Sequence, residues 1–164
     1  MRDVTEHAAD HAAAGPSALI ALSEFLDHPT VDEVRRVVGL THSGAVRLVD
    51  RLEAQGYVTR HPGRDGRSLS VVLTAKGRRA AERVRVARAS AFDSVLTVLG
   101  PDEQRSLAAL SEKLLEAITE QRLRDRALDR VPPGGWLCRL CDFEACGRPR
   151  GDCPVAAAAS RPSP

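Results

Sequence analysis

The chain has 164 residues, of which 43% are hydrophobic but only 3% aromatic, and its formal net charge is +2. This length suits one compact domain with an appendage, and a core of Leu, Val and Ala is typical of helical proteins. The sequence contains no apolar run long enough to span a bilayer, and residues 1–11 lack the pattern of a secretory signal. We therefore expect a cytoplasmic protein with no membrane partner.

The positive charge is concentrated in one part of the sequence. Residues 31–85 contain twelve bases and six acids, a net charge of +6, whereas residues 1–30 have a net charge of −4. Residues 86–130 and 131–164 contribute −1 and +1. A localised positive segment favours a polyanionic partner, although a solvated surface is the simpler alternative.

The N-terminal third predicts short helices. Residues 1–14 favour a weakly specified helix, Gly15-Pro16 predicts a break, and Ser17 is a plausible cap for a buried helix over 18–26. A helix over 31–38 follows, capped by Thr30 and ended by Gly39. Acidic residues in its first turn suit the helix dipole.

A second helix, from Thr41 to Gly56, is the centre of the functional prediction. Its apolar residues recur at three- and four-residue spacing and predict a buried stripe: Ala45, Leu48, Val49 and Leu52. Its other face offers hydrogen-bond donors: His42, Ser43, Arg47, Arg51 and Gln55. Two helices joined by a tight turn are the helix-turn-helix pattern, in which the second helix enters the major groove of DNA. An ordinary amphipathic surface helix is the alternative.

A β-hairpin and two long helices follow. Residues 57–61 and 68–74 read as strands around a basic turn, whose Arg64 and Arg67 could meet phosphate or a minor groove. Residues 75–99 predict a long helix with an inner stripe of small residues from Ala80 to Val98. Pro101 begins another helix, which extends to about residue 128. Because these stripes exceed what a small domain needs, we expect helix packing between subunits.

Three segments together resemble the MarR family of bacterial transcription regulators: G-L-T-H-S-G-A-V-R-L-V-D-R-L-E-A-Q-G-Y-V (39–58), R-D-G-R (64–67) and L-T-A-K-G-R (73–78). The resemblance covers about residues 17–125. It implies a mainly α-helical fold with a small β-hairpin wing, a winged helix-turn-helix that forms a homodimer through its N- and C-terminal helices. It also implies DNA contacts at seven positions: His42, Ser43, Gly44, Arg47, Arg51, Arg64 and Arg67.

The sequence departs from the family pattern at three places. Gly66 interrupts the run of acidic and basic residues that the wing often carries, which affects minor-groove contact. Gly44 stands where a small polar residue is common, so one base contact could be missing. The first helix is also short, which would reduce the dimer interface.

All four cysteines fall within one short segment with the spacing C-x2-C-x4-C-x6-C: Cys138, Cys141, Cys146 and Cys153. Four thiolates so close in sequence predict a metal site in a cytosolic protein. Zn²⁺ held by all four cysteine thiolates is the favoured cofactor, and an iron–sulfur cluster is the alternative. A metal-free redox switch is the third possibility. We expect Trp136, Leu137, Leu140 and Phe143 to form the apolar backing of this segment.

We therefore divide the chain into N-terminal helices (1–30), a winged DNA-binding lobe (31–74), long dimerisation helices (75–130), a cysteine-rich segment (131–155) and a disordered tail (156–164). The predicted function is that of a dimeric repressor on a pseudo-palindromic operator, sensing metal or redox state. Two alternatives are a regulator of the same fold that answers a small organic ligand, and an interaction or metal-carrying module without operator binding. No catalytic constellation is evident, so we do not expect an enzyme.

Overall fold

The computed structural model describes residues 14–63, 68–128, 130 and 134–161. The chain divides into two compact units. The first comprises Met1–Ala87 together with Gly134–Leu140, and the second comprises Arg88–Pro133 and Cys141–Pro164. The predicted helix over residues 1–14 lies almost entirely outside the described residues.

The first described helix, α1, occupies residues 14–24. The predicted break at Gly15-Pro16 is therefore wrong, and Ser17, the expected cap, is buried within the helix. Proline cannot donate to the residue four positions before it, but every later N–H can still bond, so the helix continues beyond it. Leu19 and Ile20 turn inward and are almost fully buried.

The next two helices form the predicted helix-turn-helix. Helix α2, Val31–Val38, begins at Thr30, which forms a reciprocal capping box with Glu33. It ends at Gly39, whose φ of 81° is left-handed and favours glycine. Helix α3, His42–Ala54, begins after the extended cap residue Thr41. The predicted apolar stripe of α3 is confirmed, because Ala45, Leu48, Val49 and Leu52 are all buried.

A two-stranded antiparallel hairpin follows, as predicted. Strand β1, Val58–Pro62, pairs with β2, Leu69–Leu73, in a register that places Val58 opposite Leu73. The middle of β2 is tied to the segment just before α2, since the Val71 N–H donates to the Pro29 carbonyl at 2.7 Å. Val58 and Val71 are buried and join α1, α2 and α3 in one hydrophobic core.

Two long helices come next, α4 over Ala75–Leu96 and α5 over Pro101–Ala127. Burial in α4 is confined to its first turns, at Gly77, Ala80 and Ala81. The later part of its predicted inner stripe is exposed, with Val95 66% and Val98 80% accessible. Within the described ranges, no helix is both long and apolar enough to cross a membrane.

The C-terminal segment is more ordered in the structure than we expected. Short 3-10 helices form at Leu137–Leu140 and Arg148–Arg150, and a final helix, α6, forms at Pro154–Ser160. The disordered tail predicted from residue 156 is therefore wrong as far as residue 160. Alanine favours helix, Ala158 is 2% exposed, and Arg161 pairs with Glu116 at 3.2 Å and Glu120 at 3.3 Å on α5. Residues 162–164 lie outside the described residues.

Candidate nucleic-acid interface

The N-terminal end of α3 is exposed and held by its cap. The Thr41 hydroxyl accepts a hydrogen bond from the Gly44 N–H at 3.2 Å and lies 3.4 Å from the Ser43 hydroxyl. His42 and Ser43 are exposed, whereas Gly44 is buried. His42 and Ser43, which follow the cap, therefore present donors to a ligand at this end of the helix, whereas Gly44 does not.

Arg47 and Arg51 are exposed cations on the outer face of α3. Together with Ser43 they are spaced four residues apart, so the three side chains follow one line along the helix. Within the described residues, neither guanidinium has a hydrogen-bond or ion-pair partner. By contrast, both arginines of α2 pair with Asp32. The positive charge of α3 is therefore available to an outside anion.

The wing is described up to its tip. The Gly63 N–H donates to the Ser68 carbonyl at 2.8 Å, which closes the two strands beyond their paired residues. Residues 64–67 lie outside the described residues, and with them the predicted contacts Arg64 and Arg67. The hairpin that would position these two arginines is thus present, while their own placement remains a prediction.

Arg60 on β1 attaches the wing to α3, a role that the sequence analysis did not identify. Its side chain is 21% exposed, and its guanidinium forms ion pairs with Glu53 and, at 2.6 Å, with Asp50. Its backbone N–H also donates to Glu53 at 3.1 Å. Burial lowers the pKa of Arg60, but the hydrogen bonds to Asp50 and Glu53 raise it, and the balance lies above its usual value. The guanidinium therefore stays charged and braces the wing.

The start of α4 is fastened to the turn after α3. The Thr74 hydroxyl donates to the Gly56 carbonyl at 2.7 Å and accepts from the Gly77 N–H at 3.0 Å. A Cβ on Gly77 would lie 2.0 Å from the Tyr57 carbonyl oxygen, so only glycine fits this crossing. The Lys76 ammonium donates to the Gln55 carbonyl at 2.8 Å. These contacts give a structural role to Thr74, Lys76 and Gly77 of the L-T-A-K-G run.

All four cysteines are thiols in this structure. Cys138 belongs to the first compact unit, and Cys141, Cys146 and Cys153 belong to the second. Cys153 is 3% exposed, and the other three are half-buried. Among the residues that the structure describes, no group of three or more His, Cys, Asp or Glu side chains is placed to hold a metal ion.

Trp136 does not back the cysteine segment as expected. Its indole stacks on Phe25, just beyond α1, with ring centroids 6.1 Å apart and planes 3° apart. Phe143, in contrast, is 8% exposed, whereas Leu140 is 54% exposed. The apolar residues of this segment thus do not form a single small core, because the indole is used by the first unit.

The chain is similar to known regulators. A model of the MarR family matches residues 16–68. A MarR family protein from Bacillus stearothermophilus is 30% identical, with a TM-score of 0.58 over 64% of this chain and 73% of that one. Wild-type apo MarR from E. coli is 26% identical, with a TM-score of 0.56 over 62% of this chain and 76% of that one. No curated protein matches the sequence.

A more distant structure shows the same fold. MepR, a transcription regulator of the Staphylococcus aureus multidrug efflux pump MepA, is 17% identical, with a TM-score of 0.54 over 64% of this chain and 77% of that one. The match to the family model ends at residue 68, well before the first cysteine, so it does not cover the cysteine segment. The helix-turn-helix, the braced wing and these similarities together show that the chain belongs to the MarR family of winged helix-turn-helix transcription regulators.

Proposed function

We propose that the protein binds double-stranded DNA as a homodimer and represses transcription from a pseudo-palindromic operator. One observation carries the proposal: Ser43, Arg47 and Arg51 form an exposed line on α3, and neither arginine has a partner among the described residues. Exposed guanidiniums without internal partners suit an external polyanion. Repression, rather than activation, is proposed from the resemblance to the family.

Some residues of α3 would contact DNA bases, and others would contact phosphates. Arginine can donate two hydrogen bonds to guanine O6 and N7 in the major groove, so Arg47, in the middle of the exposed line, is the proposed base reader. Arg51, one turn further along, is assigned to phosphate. His42 and Ser43 lie at the helix N-terminus, where free N–H groups also attract phosphate. The wing would add contacts through Arg64 and Arg67.

The second unit supports a dimer. Large apolar residues of α4 and α5 are exposed on the single chain, including Phe92 at 69%, Leu110 at 59% and Leu114 at 64%. A soluble protein rarely exposes so many large apolar side chains on neighbouring elements unless a partner covers them. A second copy would cover them and present two α3 helices to successive turns of the same DNA face.

Selection from a random duplex pool tests this proposal directly. The full-length reduced protein should enrich a pseudo-palindrome whose half-sites are about one helical turn apart. Its affinity should fall steeply as salt rises, because bound phosphates release counterions. Enrichment of no sequence, or of a single half-site bound by a monomer, would contradict the proposal. A binding module that does not recognise an operator would give the first of these results.

We also propose that the cysteine segment binds a metal, either Zn²⁺ through four thiolates or an iron–sulfur cluster. The support is the close spacing of the four cysteines in sequence, C-x2-C-x4-C-x6-C. Metal modules commonly fold around their ion, so the thiols would have to rearrange on binding. Metal analysis and visible absorption of anaerobically purified protein separate the choices. One zinc per chain without colour indicates zinc, and a visible band with iron and sulfide indicates a cluster. Metal-free protein that binds neither contradicts both.

A further inference from the structure

Residues 134–140, here called the strap, lie against the turn of the helix-turn-helix. They belong to the same compact unit as α1, α2 and α3, although they are far along the sequence. In sequence it falls within the cysteine-rich segment, and no contact with the DNA-binding lobe was predicted for it. In the structure it contacts this lobe through its backbone, through a hydrogen bond and through a ring stack.

The closest contact joins two glycines. A Cβ on Gly135 would lie 2.0 Å from the Val37 carbonyl oxygen and 2.8 Å from the Gly39 nitrogen. A Cβ on Gly39 would lie 2.3 Å from the Gly135 nitrogen. Each distance is far below van der Waals contact, and each meets backbone, which cannot move aside as a side chain can. The strap therefore crosses the turn between α2 and α3 at a point where neither of the two backbone segments can carry a side chain.

The hydrogen bond satisfies a helix end. The last carbonyls of a helix lack an intrahelical partner and must find another. The Trp136 N–H donates to the Val37 carbonyl at 2.8 Å, in the last turn of α2. Gly39 and Leu40 both donate to the Arg35 carbonyl instead. The strap thus completes the C-terminal end of α2, only a few residues before the cap of α3.

The ring stack anchors the strap to α1. The indole of Trp136 lies parallel to Phe25 with centroids 6.1 Å apart, and the Arg139 guanidinium donates to the Trp136 carbonyl at 2.7 Å. Trp136 remains 43% exposed, so it is not part of the hydrophobic core. Its contacts hold the strap in place at the surface of the lobe.

We propose that the strap is a positioning element that fixes the turn between α2 and α3, and so holds α3 at the angle needed for DNA. This rests on the proposed function, because the effect is expressed as operator affinity.

The test compares Gly135→Ala with Gly15→Ala in the full-length reduced protein. Gly15 is also a glycine of the first unit, but a Cβ there meets no atom of the described residues within 4 Å. Trp136 is the single tryptophan, so its emission reports strap position. Gly135→Ala should shift this emission to longer wavelength and weaken operator binding about tenfold at fixed salt. The salt slope should not change, because no phosphate contact is removed. Gly15→Ala should change neither emission nor affinity.

A second pair of variants tests the strap without the glycine substitution, in case Gly135→Ala misfolds. Trp136→Ala should weaken operator binding with an unchanged circular dichroism spectrum, and Trp136→Phe, which keeps the stack, should restore it. The proposal fails if Gly135→Ala leaves the emission unchanged. It also fails if either Gly135→Ala or Trp136→Ala binds operator within twofold of wild type. Absence of operator binding by the wild type itself would instead show that the proposed function is wrong.

Discussion

Replacement of Arg60 by alanine tests whether the wing is braced on α3. The Arg60 side chain is 21% exposed, and those of its partners Glu53 and Asp50 are 37% and 56% exposed. Exposed ion pairs contribute only ~0.2–1 kcal/mol each, and hydrogen bonds to charged groups contribute more where they are shielded. With two half-shielded pairs lost, we expect the free energy of unfolding to fall by about 1–2 kcal/mol. Urea unfolding followed by circular dichroism measures this loss.

Arg36→Ala is the matched control for Arg60→Ala. Arg36 also pairs with a carboxylate, Asp32, but its side chain is 63% exposed, so its removal should leave stability nearly unchanged. Arg60→Lys should recover only part of the loss, because an ammonium cannot span two carboxylates as a guanidinium fork does. Equal unfolding curves for Arg60→Ala and Arg36→Ala would show that the ion pairs of Arg60 do not stabilise the attachment of the wing to α3.

Three further changes test other parts of the account. Arg67→Ala should weaken binding to most DNA sequences and lower the salt slope by about one, and an unchanged slope in an anisotropy titration would count against a wing contact. Leu114→Glu should convert the dimer to monomer in size-exclusion chromatography with light scattering; a dimer that persists would place the interface elsewhere. Gly77→Ala should destabilise by about 2 kcal/mol in urea, because its Cβ would meet the Tyr57 carbonyl. Stability equal to that of Gly15→Ala would show that the crossing can relax.

Local signals account for the parts of the fold that could be predicted. Thr30 and Thr41 cap α2 and α3 with their own side chains, and Gly39 adopts the left-handed turn that a helix end favours. Each of these choices depends on residues within one turn of the helix. The hairpin was predictable for the same reason, since alternation and turn residues are adjacent in sequence.

Distant contacts explain what could not be predicted. Helix α6 is stabilised by Arg161 pairing with Glu120, 41 positions earlier, and a tail rich in alanine, serine and proline gives no hint of this pair. Nothing in the sequence around Gly135 indicates that Gly39 lies beside it. The two ion pairs of Arg60 could not be predicted, because Asp50 and Glu53 lie on another element.

Only part of the candidate site could be predicted from the sequence, because the rest depends on contacts between distant residues. The exposed face of α3 follows from helical periodicity, so Arg47 and Arg51 could be placed from the sequence alone. Burial of Gly44 could not be, because it depends on the packing of α3 within the lobe. Ligation by the cysteines remains a prediction, since spacing alone cannot say whether the chain brings four thiols together.

The most direct test of the central claim is the specificity ratio of Arg47→Ala. The ratio compares affinity for the selected operator with affinity for a scrambled duplex at the same salt concentration. Arg83→Ala is the matched control, because it removes an exposed arginine from α4 that also lacks a partner among the described residues. If α3 reads bases through Arg47, Arg47→Ala should lose ~1–3 kcal/mol of operator binding and most of its specificity, while Arg83→Ala keeps the wild-type ratio. An unchanged ratio for Arg47→Ala would contradict the account.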